Sequence, residues 1–191
     1  MNLISHIESL LGQLEQGWSF TKGVGSVKVV RFKDQPFEGG VTYVTLGLSD
    51  NVLPMSQGRE VRQELVFTAY ENFRAEEIAS FMLSFCDYIL AQRQALLRGD
   101  LVGPSIPLIP EVAVNSVYAS IPVVFDERFS TYKGSEPHTV MVWLIPLLED
   151  EANFVKKNGW SQFEDMLEHE DPDLMNLNRS SIFKEVGFIK R

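Results

Sequence analysis

The longest unbroken run of apolar positions is Val140-Met141-Val142-Trp143-Leu144-Ile145-Pro146-Leu147-Leu148, followed at once by Glu149-Asp150-Glu151. A run of that length can face water on neither side, so it predicts a buried strand that Pro146 ends before a helix. Residues 27–32 and 41–46 are β-branched and partly alternating, and Asp34, Pro36, Gly39 and Gly40 lie between them, the pattern of a hairpin or a neighbouring strand pair. Residues 64–70 make a third strand after a loop over 50–63. Residues 115–125 make a further one, in which Pro122 removes a ladder donor and favours an edge or a bulge.

Helical spacing accounts for most of the rest. Leu3, Ile7, Leu10, Leu11 and Leu14 predict an amphipathic helix capped at Gly17. The longest helix is expected over 75–97, with Ile78, Phe81, Met82, Phe85 and Ile89 on one face, Glu76 and Glu77 at its positive end, Arg93 and Arg98 at the other, and Gly99 as its stop. Pro104, Pro107 and Pro110 make 99–111 an extended surface connection. A helix from Glu149 carries Lys156 and Lys157 in its last turn with Gly159 beyond. Ser161 to Glu164 has capping-box spacing and opens a short helix with Phe163, Met166 and Leu167 inward. Asp171-Pro172 predicts one more turn through Leu177, and the tail over 180–191 docks through Ile182, Phe183, Val186 and Phe188. Strands and helices together make an α+β protein.

Length and charge narrow the function classes. The 191 residues, 45% of them hydrophobic, suffice for one core, so a single domain over 1–191 is expected, with a possible lobe seam near 99–111. A net charge of −9 argues against nucleic acid and anionic membranes, because neither Lys nor Arg gathers into a basic stripe. Net acidity is most commonly a matter of solubility; electrostatically it also favours a basic peptide or protein as partner. The N-terminus lacks the pattern of a signal peptide and no segment reaches membrane-span length. The single cysteine, Cys86, excludes an internal disulfide and fits the cytoplasm.

Candidate chemistry is sparse. His6, His138 and His169 share no metal spacing with Cys86, which reads as a buried thiol on the long helix. Gly23-Val24-Gly25 lacks the third glycine of a dinucleotide loop and reads as a turn. The acidic run Glu164, Asp165, Glu168, Glu170, Asp171 and Asp173 reads as a solvated helix face or a docking surface for a basic partner. No serine has a nucleophile signature, so neither a catalytic residue nor a cofactor or metal is expected.

Six stretches in order, Thr45-Leu46-Gly47-Leu48-Ser49-Asp50, Glu64-Leu65-Val66-Phe67, the helix end over 97–100, Trp143-Leu144-Ile145-Pro146-Leu147, Gly159 with the helix after it, and Asp171-Pro172-Asp173-Leu174, resemble the suppressor of fused family. The likeness spans about residues 23–183 and is to the short, single-domain bacterial type. It implies the fold of that family's N-terminal domain, a mixed and largely antiparallel sheet with helices packed on it. Animal members hold an extended peptide between this domain and a second one. Similar bacterial proteins are thought to be immunity proteins of toxin systems. The resemblance therefore implies a non-enzymatic binding module, cytoplasmic and without cofactor, that sequesters a protein partner such as a cognate toxin. Strand addition beside residues 117–124 is the expected mode, with Tyr118 on that strand and Asp100, Glu111, Asp126 and Glu127 as rim charge. The alternatives are a hydrolase or transferase whose carboxylates meet only in the fold, and a structural subunit of a larger assembly.

Overall fold

A computed structural model describes residues 2–19, 26–105 and 107–183. Among them nine strands form one mixed sheet: β1 (Gln16–Ser19), β2 (Lys28–Lys33), β3 (Gly40–Leu46), β4 (Leu53–Pro54), β5 (Glu60–Tyr70), β6 (Leu101–Val102), β7 (Ser116–Ser120), β8 (Thr131–Tyr132) and β9 (Thr139–Leu147). The order across the sheet is β1-β2-β3-β5-β9-β7-β6, with β4 added to β5 and β8 to β9. All ladders are antiparallel except β5 with β9, where Glu64 lies opposite Met141. This is the α+β architecture that the patterning and the resemblance imply.

Among the described residues four helices cover the two faces: α1 (Leu3–Leu11), α2 (Ala75–Gln92), α3 (Glu149–Asn158) and α4 (Trp160–Glu170). Successive side chains of β9 point to opposite faces. Val142 and Leu144 join a core with Ile78, Met82 and Ile89 of α2, while Met141, Trp143 and Ile145 join one with Ile7 of α1, Val155 of α3 and Phe163 of α4. Both faces of β9 are therefore apolar because helices cover both.

Several boundaries differ from the sequence expectation, each for a local reason. The first helix stops at Gly12, and Gly17 lies in β1. β9 runs through Pro146, opposite Val117, to Leu147, because the proline occupies a position that leaves its carbonyl free for Arg179. α2 ends at Arg93, which adopts the left-handed conformation and donates its N–H to the Ile89 carbonyl, so Gly99 is not its stop. α4 starts directly after Gly159 with no side-chain cap from Ser161. Asp171 is the left-handed cap that ends α4, which leaves turns and no helix over 172–177. The stretch 50–63 contributes β4 rather than loop alone. The strand over 115–125 is only β7, since Pro122 follows it. The turn at Gly23 to Gly25 and the tail positions Val186 and Phe188 lie outside the described residues, whereas Ile182 is buried as expected.

Candidate partner-binding furrow on the α2 face

Residues 103–105 and 107–112 run beside α2, and the two segments and the helix leave an open furrow between them. Its middle is a hollow of about 520 Å³ with Phe81, Phe85 and Tyr88 on one wall and Pro104, Pro107 and Leu108 on the other. Tyr88 and Val102 continue it into a smaller hollow that reaches Gln92 and Asp100. In the opposite direction Glu77 continues it toward Ile109, Pro110 and Glu111.

The floor follows from helix periodicity. Phe81, Phe85 and Tyr88 lie four and three residues apart, so they stack on one face of α2. Their rings touch in series, 5.8 Å between centroids at each step, and Phe81 leans edge-on against Phe67 of β5 at 5.6 Å. Core packing fixes Phe85, at 8% exposure, and leaves Tyr88 43% open to solvent. The proline wall cannot fold into a helix over the gap.

Of the expected contact residues, the furrow brings two together. Asp100 is at one end, its carboxylate accepting from the Leu97 N–H at 2.7 Å, and Glu111 is at the other. The remaining three lie elsewhere. Asp126 caps the turn Glu127–Ser130 and pairs with Arg128 at 2.7 Å, which holds its carboxyl well below the usual range. Glu127 lines a separate hollow with His6 and Tyr132. Tyr118 is fully buried on the opposite face of the sheet, so it cannot be a surface contact. The free edge expected beside residues 117–124 is also occupied. β6 pairs with β7, the Gly99 N–H donates to the Ala119 carbonyl and the Ala119 N–H to Asp100, each at 2.9 Å. Apolar exposure there is confined to Ile121, Val123 and Val124 past the strand end.

Carboxylates that a catalytic reading would require are present but engaged in separate structural networks. Glu64, buried in β5, accepts from the hydroxyls of Thr45 and Ser49 at 2.6 Å each and from the N–H groups of Gly47 at 2.9 Å and Ser49 at 3.1 Å. Burial pushes its carboxyl up to about 7 against those four donors. Beyond the Val44 and Val66 pair β3 leaves the ladder, and Leu65 donates to the Thr45 hydroxyl instead. Gly47 makes the turn at a φ of 105°, where a side chain would be strained and its Cβ would crowd the Ser26 carbonyl at 3.2 Å. Glu151 is also fully buried. It accepts from Leu148 N–H at 3.0 Å, Ile182 N–H at 3.1 Å and the Arg179 guanidinium at 2.7 Å, and Arg179 reaches the Pro146 carbonyl at 3.1 Å.

The acidic face of α4 holds a third network. Glu164 accepts from Arg98 and, at 2.7 Å, from the Tyr118 hydroxyl. Burial raises its carboxyl, but the bonds from Arg98 and Tyr118 outweigh that and leave it lowered. Glu164 is thus a tie between α4 and β7, not a solvated residue. Arg98 also lies 5.1 Å over Trp160, whose ring covers Gly99 so closely that only glycine fits. Cys86 is buried in α2, and burial pushes its thiol up. Among the described residues no group of three or more His, Cys, Asp or Glu is placed to hold a metal ion, and no helix is long and apolar enough to cross a membrane.

Known proteins share this fold. The family model described as suppressor of fused protein matches residues 23–180. A relative named immunity protein YqcF, from Bacillus subtilis, is 24% identical over 168 residues, covering 86% of this chain and 85% of its own. A suppressor of fused homologue from Neisseria gonorrhoeae superposes with a TM-score of 0.77 at 15% identity over 94% of each chain. A chain of the Sufu–Fu complex gives 0.71 at 12% identity, over 95% of this chain and 91% of its own. Drosophila suppressor of fused gives 0.72 at 12%, and this chain spans half its length.

Proposed function

The chain belongs to the suppressor of fused family, and on that premise we propose that it is a non-enzymatic, cytoplasmic module that sequesters a protein partner, in the manner of an immunity protein that holds a toxin. The observation that carries this reading is the open furrow along α2, apolar on both walls and flanked by acids. Such a surface suits a polypeptide better than a small substrate, which calls for an enclosed pocket with converging polar groups. The buried carboxylates support the same reading, because the oxygens of Glu64 are filled by donors of the Thr45 to Ser49 turn and those of Glu151 by the Leu148 and Ile182 N–H groups and Arg179. The relative's name, immunity protein, supports a neutralising role for the complex.

Titration separates binding from catalysis. The activity of the protein encoded beside this chain is measured while purified full chain is added. A sequestering module abolishes that activity at a fixed molar ratio and keeps the partner in a complex of the same ratio on gel filtration. Neutralisation by a small fraction of an equivalent, with the partner chemically altered, would establish the enzymatic alternative instead.

A further inference from the structure

The shape and charge of the furrow specify what part of a partner enters it. From Glu77 to Gln92 the α2 wall is about 22 Å long at a rise of ~1.5 Å per residue. An extended strand advances ~3.3 Å per residue, so the furrow accommodates about six or seven residues. The charged residues lining it are Glu77, Asp100, Glu111 and Arg74, and Arg74 is paired with Glu77 at 3.4 Å. An acid therefore stands near each end of an apolar floor.

Resting on the partner-binding reading above, we propose that the furrow takes an extended segment of the protein partner with apolar side chains on the Phe81, Phe85 and Tyr88 ladder and a lysine or arginine at each end, facing Asp100 and Glu111. The aromatic floor contributes the buried contact, since large rigid rings in a desolvated cleft dominate such interfaces. The two acids set register and direction more than affinity, because exposed charge pairs contribute mainly to encounter and specificity.

A displayed library of random heptapeptides, panned on the full chain, tests this. Selected peptides should carry Lys or Arg near both ends of an apolar centre. Ser84→Trp fills the middle hollow from an exposed helix position whose hydroxyl bonds only back to the Ser80 carbonyl, and should weaken those peptides by roughly tenfold or more. Glu111→Lys and Asp100→Asn should flatten the salt dependence of binding, the second keeping an oxygen for the Leu97 N–H. Thermal melts within a few degrees of the parent show that the variants fold. Failure to select any peptide, selection of peptides without basic ends, or unchanged affinity in Ser84→Trp would overturn the proposal. So would a concentration-dependent dimer abolished by Ser84→Trp, which would seat a second copy of the chain there. If Ser84→Trp neutralises the partner as fully as the parent chain, the furrow is excluded while sequestration stands. If the parent chain itself neutralises nothing, sequestration falls and takes this assignment with it.

Discussion

Glu64 and Glu151 show two ways in which a carboxylate can be buried. Glu64 is bonded among the described residues to hydroxyls and N–H groups, and its carboxyl rises from 4.5 to about 7. A folded-state value above the unfolded one means that the native protein binds this proton more tightly. Its contribution is then complete below about pH 4.5 and is lost as pH rises through 7, by something on the order of 3 kcal/mol. Glu64→Gln removes the titration. The stability difference between parent and variant, measured by denaturant unfolding from pH 4.5 to 8, should change with pH in that direction; a difference independent of pH would refute the assignment. Glu151 has a cation beside it. Arg179→Ala leaves its carboxylate buried without its counterion and should cost about 3–5 kcal/mol, read from the shift in the denaturant midpoint.

The elements were legible where a period repeats over enough residues. β2, β3, β5, β9, α2 and α3 follow the apolar spacing closely, because each buries one or two regular faces. Strands of two residues, β4, β6 and β8, have no period to read, and one of them, β6, is what covers the outer side of β7 and closes the expected edge. Helix ends failed where a residue other than glycine took the left-handed cap, as Arg93 and Asp171 do. The furrow was half visible, in aromatics at 81, 85 and 88 and prolines at 104, 107 and 110, but only tertiary packing puts the two patterns face to face. Trp143 of β9 belongs to packing. It is 4% exposed and its indole N–H donates to the Thr68 hydroxyl at 3.3 Å. Trp143→Ala should therefore cost about 3–5 kcal/mol in a chemical denaturation curve and leave partner affinity of the still-folded fraction unchanged. A loss of affinity without a loss of stability would move the binding surface to this strand.

At the scale of the molecule, the polar networks and the furrow divide the chain between them. Stretches that carry the family resemblance, around Thr45 to Ser49, Glu64 and Pro146, are bonded to one another or to Glu151 and Arg179. They hold strand ends and helix starts in place, so the residues that carry the family likeness are accounted for by the fold. The α2 face carries the apolar opening and the separated acids, and it is the surface proposed to hold a partner. Hydrogen–deuterium exchange of the full chain, alone and saturated with a protein partner, measures this most directly. New protection is expected over residues 77–92, 100–105 and 107–112, with exchange elsewhere altered little. Protection instead over residues 121–134, with the α2 face exchanging as in the free chain, would contradict it.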